Sequence, residues 1–171
     1  MKTLLDFSFK SGTGHPSDDE YKIGITQVTD QLFLGGEEDV SEVFPQVQVW
    51  VDLRSEGAWN RIVEIPSHIT YIRIPINDGD AARADQVFSK AKDIIELSLT
   101  AGEKVVLSCQ AGISRSVVVA WWILAKQLCD AEKAWSILKL KRPAIEPDEA
   151  FFTFISQNIL SIQAHKTTIS T

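Results

Sequence analysis

Cysteine is scarce in this chain, and its scarcity limits where the protein can work. Only two cysteines occur, Cys109 and Cys129. Two thiols cannot build the disulfide framework that stabilises small secreted domains. The sequence therefore predicts a protein of a reduced compartment, and we expect a cytoplasmic location.

Histidine and positive charge are also limited. The three histidines, His15, His68 and His165, are scattered and form no metal-ligand pattern, so we predict neither a metal site nor another cofactor. Lysine and arginine number 17 against 23 acidic residues, which gives a net charge of −6. Because nucleic-acid-binding proteins usually present a basic face, this balance disfavours a nucleic-acid partner.

No run of apolar residues reaches membrane-spanning length. The most apolar segment, 117–128, is too short to cross a bilayer. At the N-terminus, Asp6 and Lys10 interrupt the chain before an apolar stretch of signal length develops. We therefore expect no membrane association.

What remains is the composition of an ordinary globular protein, with 44% hydrophobic and 23% charged residues over 171 positions. This length is typical of a single domain with a full core. We divide the chain into an N-terminal extension (1–22), a folded domain (23–163) and a polar C-terminal tail (164–171).

Strand and helix patterns alternate through the folded domain. Strands are predicted at 23–28, 31–34, 47–54, 68–76 and 104–108, and helices at 37–44, 85–99, 113–128, 130–141 and 147–161. Asp85 and Asp130 are the expected N-caps of two of these helices. The alternation predicts an α/β fold with a central, mainly parallel, twisted sheet of about four or five strands and helices on both faces. In such sheets, ligands bind beyond the carboxyl ends of the strands.

One segment, 105–117, carries the strongest chemical signal. A β-branched strand ends at Cys109, and Arg115 follows after five residues, at the start of a long apolar helix. Unpaired N–H groups at such a helix N-terminus bind phosphate and favour the thiolate form of a nearby cysteine. The planar guanidinium of an arginine can hold two phosphate oxygens. The segment therefore predicts a nucleophile that attacks phosphorus.

Each part of this chemistry has a candidate in the sequence. The predicted phosphate cradle consists of the backbone N–H groups of Gln110, Ala111, Gly112, Ile113, Ser114 and Arg115, with the Arg115 side chain. Gly112 permits a tight turn with positive φ, and Ser116 places a hydroxyl near the thiolate. Asp78, in a flexible loop that follows a strand, is the candidate acid for the leaving oxygen.

These residues resemble a known family. The sequence from Cys109 to Ser116, Cys-Gln-Ala-Gly-Ile-Ser-Arg-Ser, is similar to the signature of dual-specificity protein phosphatases, within the Cys-x5-Arg protein tyrosine phosphatase superfamily. Segments 32–35 and 141–147 also look like family segments, and Asp78 takes the position of the general acid. The resemblance runs from about residue 23 to residue 160 and implies a fold like that of the protein tyrosine phosphatases.

The resemblance also implies a mechanism and a partner. Cys109 would form a cysteinyl-phosphate on a phosphorylated protein, Asp78 would serve as acid and then base, and Arg115 would bind the phosphoryl group in both steps. One position departs from the family, which usually has histidine before the nucleophile, whereas this chain has Ser108. We expect a less acidic thiol and slower catalysis, without loss of activity.

Several residues have simpler interpretations. Asn-Asp-Gly is turn chemistry in its own right, and Asp80 is the alternative acid. Cys129 is expected to be structural, roughly 20 Å or more from Cys109 along a helix. Arg54 and Arg73 are expected to make structural pairs. The five tryptophans are mostly core candidates, with Trp59 the one that could line the site.

Two alternative functions stay open. The same chemistry could act on a phosphoinositide, a phosphorylated glycan or an RNA 5′-phosphate, although Gln110, Ala111 and Ile113 are neutral where lipid- and RNA-directed relatives tend to be basic. The second alternative is a catalytically weak module that only binds phosphate esters, which Ser108 suggests. The sequence does not indicate an oligomeric state.

Overall fold

The computed structural model describes residues 23–56 and 64–168, with side chains as far as residue 159. Its elements are β1 (Thr26–Gln27), β2 (Leu32–Gly36), a 3-10 helix (Val40–Val43), β3 (Val49–Arg54), β4 (Thr70–Ile76), α1 (Ala81–Thr100), β5 (Val105–Cys109), α2 (Arg115–Leu128), α3 (Ala131–Lys141) and α4 (Glu149–Thr168). The strands form one sheet in the order β1-β2-β5-β3-β4.

The predicted α/β fold with a mainly parallel sheet is confirmed. Strands β2, β5, β3 and β4 are parallel, and only β1 pairs in the antiparallel sense. β5 lies at the centre with all five residues buried, as expected of a strand covered on both faces. The carboxyl ends of β3, β4 and β5 therefore meet at the same edge of the sheet, where the chain continues into the candidate loops.

Helical residues cover both faces of the sheet, but unequally. The α-helices contribute to one large core, which includes Leu107 and Cys109 of β5. The opposite face carries a smaller core that contains Val106 of β5, Trp50 of β3 and the 3-10 helix. Because side chains alternate along a strand, neighbouring residues of β5 enter different cores. Helix α2 is buried nearly all round, as predicted, with eleven of its fourteen residues inside.

Most differences from the predicted elements lie at their ends. The predicted cap of α1 was wrong: the cap lies five residues earlier, where Asp80, not Asp85, accepts a hydrogen bond from the N–H of Arg83. The Ala-rich start of α1 favours helix, and Ala84 is already buried. Asp130 caps α3 as predicted, accepting from the N–H of Lys133. The segment predicted as a helix at 37–44 contains only the short 3-10 helix.

The C-terminal helix is longer than predicted. Helix α4 runs to Thr168, so the residues that we assigned to a polar tail begin in helical conformation. The N-terminal extension, 1–22, lies outside the described residues, and the division into extension, domain and tail stays a prediction.

Candidate active site

The candidate nucleophile lies at the end of the central strand. Cys109 is the last residue of β5, and Arg115 is the first of α2. Five residues, 110–114, form the loop between them. The Cys109 side chain is buried, and its Sγ lies 3.2 Å from the hydroxyl of Ser116. The structure therefore places the Ser116 hydroxyl beside the thiol, as predicted.

The carbonyl groups of the loop all accept hydrogen bonds from residues outside it. The donors are backbone N–H groups and the Arg142 side chain. Their acceptors are the carbonyl oxygens of Gln110, Ala111, Gly112, Ile113 and Ser114. In a planar trans peptide, the C=O of one residue and the N–H of the next point in opposite directions. The N–H groups of residues 111–115 therefore point toward the inside of the loop. This arrangement is suited to binding an anion.

Gly112 has the conformation that the sequence predicted, with φ of +69°. A Cβ at this position would meet the carbonyl oxygen of Gly35 at 2.5 Å and the guanidinium of Arg142 at 2.7 Å. Both the positive φ and the lack of space require glycine here.

Arg142 stabilises the loop by hydrogen bonds to its backbone, a role that was not predicted from the sequence. Its guanidinium is fully buried and donates to the carbonyl oxygens of Gly112 (2.7 Å) and Ala111 (3.1 Å). It also donates to the carbonyl of Gly24 and the hydroxyl of Thr26. Burial lowers the pKa of Arg142, and the negative charges of Asp39 and Cys109 partly oppose this effect. The chain offered one clue, because Arg142 belongs to the 141–147 segment that resembles the family.

Arg115 is held by an ion pair that the sequence did not reveal. Its two terminal nitrogens each donate to a carboxylate oxygen of Glu56 at 2.8 Å, and Nη1 also donates to the carbonyl of Ile76. Burial lowers the pKa of Arg115, but Glu56 and the charge of Cys109 outweigh burial, so the net shift is upward. Arg115 therefore stays charged.

One nitrogen of Arg115 is left for a ligand. Nε is buried and has no hydrogen-bond partner among residues 23–56 and 64–159. A buried donor without a partner is rare and calls for a physical explanation. Because Glu56 takes the outer edge of the guanidinium, Nε remains available to an anion in the loop. Oδ1 of Asp78 lies 3.9 Å from this nitrogen.

Asp78 lies beside this loop. Its Oδ1 accepts a hydrogen bond of 2.8 Å from the hydroxyl of Ser114, and its side chain is 53% exposed. The Ser114 hydroxyl also accepts from the N–H of Asp148, just before α4. Ser114 therefore connects the acid loop, the candidate phosphate loop and the region before α4.

The simpler interpretations have mixed outcomes. Asp80, the alternative acid, caps α1 instead. Arg54 makes structural ion pairs with Asp52 and Glu37, as predicted. Arg73 donates to the backbone carbonyls of Arg54 and Glu56. It therefore stabilises the segment from which the Glu56 side chain contacts Arg115.

The remaining candidates lie away from the loop or outside the described residues. Cys129 is exposed and ends α2 in a left-handed conformation, with φ of 51°, so it serves as a helix terminus and is not part of the core. Trp50 and Trp121 are buried core residues, as expected. Trp59 lies outside the described residues.

Ser108, the residue that departs from the family, has a partner on the other face of the sheet. Its hydroxyl accepts a hydrogen bond of 2.8 Å from the indole N–H of Trp50. Both residues are buried. This pairing was not predicted from the sequence, because the two positions are 58 residues apart.

Two further properties bear on ligands. Within the described part of the chain, no group of three or more His, Cys, Asp or Glu side chains is arranged to hold a metal ion. None of the helices in that part combines the length and the apolar character needed to cross a bilayer.

The fold and the loop together define a class of protein. A strand that ends in cysteine, a loop with inward N–H groups, an arginine at the helix start and a carboxylate from a neighbouring loop are the parts expected of a cysteine-dependent phosphate site. The family model "Dual specificity phosphatase, catalytic domain" matches residues 32–158. The chain therefore belongs to the dual-specificity phosphatase family, as the sequence motif indicated.

Individual relatives agree with this assignment. The chain is 31% identical over 139 residues to human "Dual specificity protein phosphatase 16", covering 79% of this chain and 20% of the relative. It is 28% identical over 137 residues to "Tyrosine-protein phosphatase vhp-1" of Caenorhabditis elegans, covering 78% and 20%. The chain thus spans about a fifth of the length of these relatives.

A solved structure of a dual specificity phosphatase has a similar fold. The crystal structure of a "mouse putative dual specificity phosphatase complexed with zinc tungstate" superimposes with a TM-score of 0.69 at 19% identity, covering 92% of this chain and 97% of the other. At this level of identity, the likeness establishes the fold of the protein tyrosine phosphatases.

Proposed function

We propose that this chain is a cysteine-dependent protein phosphatase that hydrolyses phosphotyrosine and also phosphoserine and phosphothreonine. The observation that carries the proposal is the unpaired Nε of Arg115, which shares one loop with the Cys109 thiol and the inward N–H groups. A phosphoryl group supplies the acceptor oxygens that these donors lack. The tungstate bound to the mouse phosphatase supports this interpretation, because tungstate, like phosphate, is a tetrahedral oxyanion.

In the first step, the Cys109 thiolate attacks phosphorus opposite the leaving oxygen. A P–S bond forms as the P–O bond to the substrate breaks, and the carboxylic acid of Asp78 gives its proton to the leaving oxygen. The N–H groups of residues 111–115 and the Arg115 side chain stabilise the equatorial oxygens.

In the second step, a water molecule attacks the cysteinyl-phosphate. The Asp78 carboxylate takes a proton from this water, the P–S bond breaks, and inorganic phosphate leaves. The hydroxyl of Ser116, 3.2 Å from the sulfur, donates to the departing thiolate and makes it a better leaving group. Neither step requires a metal ion.

The substrate class rests on the side chains of the loop. Gln110, Ala111 and Ile113 add no positive charge, whereas polyanionic lipids or RNA ends would be bound better by a basic loop. A phosphorylated protein therefore fits better. We also propose a cytoplasmic setting, because a thiolate nucleophile needs a reduced compartment. The predictions of no nucleic-acid partner and no membrane association stay predictions.

The decisive experiment is hydrolysis by the purified chain. We expect turnover of an aryl phosphate, with phosphate release that Cys109→Ser abolishes. A second panel compares phosphotyrosine, phosphoserine and phosphothreonine peptides with a phosphoinositide, a phosphorylated glycan and an RNA 5′-triphosphate. Activity confined to the non-protein substrates would reassign the substrate. Peptide binding without any turnover would leave only a binding module, and activity in Cys109→Ser would refute the mechanism.

A further inference from the structure

The hydroxyl of Ser108 and the thiol of Cys109 lie on opposite faces of the sheet. Consecutive side chains of a strand alternate, and Cys109 belongs to the core beneath the α-helices. Ser108 instead meets Trp50, which belongs to the smaller core. Ser108 therefore cannot touch the sulfur and can influence it only through the backbone at the end of β5.

Trp50 is a rigid partner for this hydroxyl. Its ring packs against Phe44, with centroids 5.5 Å apart, and against Tyr71, at 4.5 Å. The indole N–H can only donate, so the oxygen of Ser108 is fixed as its acceptor. Because both groups are buried, no bulk water can replace either partner if the hydrogen bond is lost.

A polar network lies next to the Trp50 ring and is reached through its contact with Tyr71 of β4. The hydroxyl of Tyr71 donates to Oδ2 of Asp52 at 2.8 Å, and Asp52 is the residue opposite Ser108 in the sheet register. Burial and the hydrogen bond to Asp52 raise the pKa of Tyr71 to about 12, so this hydroxyl stays a donor. Asp52 in turn accepts from the Nε of Arg54 at 2.9 Å.

The network returns to the loop on the other side of the nucleophile. Arg54 pairs with Glu37, and the backbone N–H of Glu37 donates to the carbonyl of Gln110 at 3.0 Å. The residue before Cys109 is thus bound to Trp50, and the residue after it to the backbone of Glu37, and contacts through Tyr71, Asp52 and Arg54 link these two partners.

We propose that Trp50 is a positioning residue for the nucleophile, acting on Cys109 through its hydrogen bond to Ser108. This inference rests on the proposed function. The bond fixes the end of β5, and so the place where Cys109 enters the loop. Displacements of about 1 Å of a reacting group can cost up to roughly a hundredfold in rate, so even a partial loosening has a measurable effect.

The test removes the hydrogen bond from either side. Trp50→Phe keeps an aromatic ring without the donor, and Ser108→Ala removes the acceptor. For each variant we expect kcat on an aryl phosphate to fall about tenfold, with KM changed less than twofold, since a shift of this size lies within the range known for misplaced groups. The double variant should resemble either single one, because all three lack the same bond.

A second readout follows the thiol itself. The rate of Cys109 alkylation by iodoacetamide, measured against pH, reports how well the loop stabilises the thiolate. We expect the midpoint of this profile to move to higher pH in Trp50→Phe and Ser108→Ala, and Ser108→Thr, which keeps a hydroxyl, to remain closer to the unmodified protein. A merely structural role would lower stability without moving the profile.

Trp121→Phe is the matched control. It removes another buried indole hydrogen bond, from Trp121 to the carbonyl of Ala131 at 2.9 Å, on the helical side of the molecule. It should lower Tm while leaving kcat and the alkylation profile unchanged. If Trp50→Phe does not fold, Ser108→Ala carries the test.

Two results would overturn the proposal. One is an unchanged kcat and alkylation profile in Ser108→Ala or in folded Trp50→Phe. The other is a double variant whose loss is the product of the single losses. Alkylation needs no phosphate ester, so the failure of the unmodified protein to hydrolyse any substrate would reject the proposed function and still leave the role of Trp50 measurable.

Discussion

The carboxylate of Glu56 accepts hydrogen bonds from both terminal nitrogens of Arg115, each at 2.8 Å. The carboxylate is 46% exposed, whereas the arginine is almost completely buried. The pair therefore joins the segment after β3 to the start of α2. It also sets which edge of the guanidinium faces the loop.

Substitution of Glu56 should impair phosphate binding. In Glu56→Gln, the guanidinium loses its charged partner and can turn its free edge away from the loop. We expect kcat/KM on an aryl phosphate to fall about tenfold, the size of a lost charge-assisted hydrogen bond. Steady-state kinetics give the measurement, and Glu132→Gln, on the exposed side of α3, is the control. Unchanged kinetics in Glu56→Gln would mean that Arg115 needs no such partner.

The same pair predicts a pH dependence. Burial alone raises the pKa of Glu56, but the hydrogen bond and charge of Arg115 outweigh burial and lower it below the usual 4.5. A depressed carboxyl pKa contributes stability that is complete above the unfolded value and is lost as the pH falls through the folded value. We expect the free energy of unfolding to fall below about pH 4.5 more steeply in the unmodified protein than in Glu56→Gln. Parallel curves in denaturant titrations would contradict this.

Asp78 should matter most when the leaving group is poor. In Asp78→Asn, no proton reaches the leaving oxygen, so we expect kcat on a phosphoserine peptide to fall by about a hundredfold or more. The loss should be smaller for p-nitrophenyl phosphate, whose leaving group needs less protonation. The variant should also retain bound phosphopeptide in a pull-down. Asp85→Asn, at an exposed position in α1, should behave like the unmodified protein, and equal losses on both substrates would remove Asp78 from the acid role.

Arg142 should be required for the shape of the loop. Arg142→Lys cannot make all four hydrogen bonds of the guanidinium. It leaves buried carbonyl oxygens without partners, at a cost of about 2–4 kcal/mol in the free energy of unfolding. We expect a lower Tm and weaker protection of Cys109 by vanadate against alkylation. Lys133→Ala, an exposed change in the neighbouring helix, is the control, and full vanadate protection in Arg142→Lys would show that the loop holds its shape without this support.

Two glycines with positive φ can distinguish the effect of backbone strain from that of steric collision. Gly102 has φ of +82° with open space around it, whereas Gly112 has φ of +69° and close neighbours. Gly102→Ala should cost about 1–2 kcal/mol of stability through strain alone and leave activity intact. Gly112→Ala should also displace the loop and abolish measurable phosphatase activity. Similar activities in the two variants would refute the steric argument.

Much of the site could be predicted from the sequence, because its central part is local. The thiol, the glycine and the arginine lie within one strand-loop-helix segment, so their spacing alone indicates an anion-binding loop. The position of Asp78 could also be predicted, since it follows a strand that ends at the same sheet edge. The cap of α1 was wrong, because two aspartates, Asp80 and Asp85, compete as caps and local preference does not choose between them.

The supports of the loop, in contrast, depend on contacts between distant parts of the chain. Glu56 and Arg115 are 59 positions apart, Trp50 and Ser108 are 58 apart, and Arg142 and Gly112 are 30 apart. No periodicity or motif encodes these pairs, since each arises only when the order of the strands brings two segments together.

The sequence by itself determined the α/β class and predicted the nucleophile and the phosphate-binding loop, because these follow from hydrophobic periodicity and from residues adjacent in the chain. Only the tertiary structure decided which side chains orient Arg115, support Gly112 and hold the strand that ends at Cys109. The physical reason is that a hydrogen bond needs its two atoms within about 3 Å, and for distant residues the packed sheet alone achieves that.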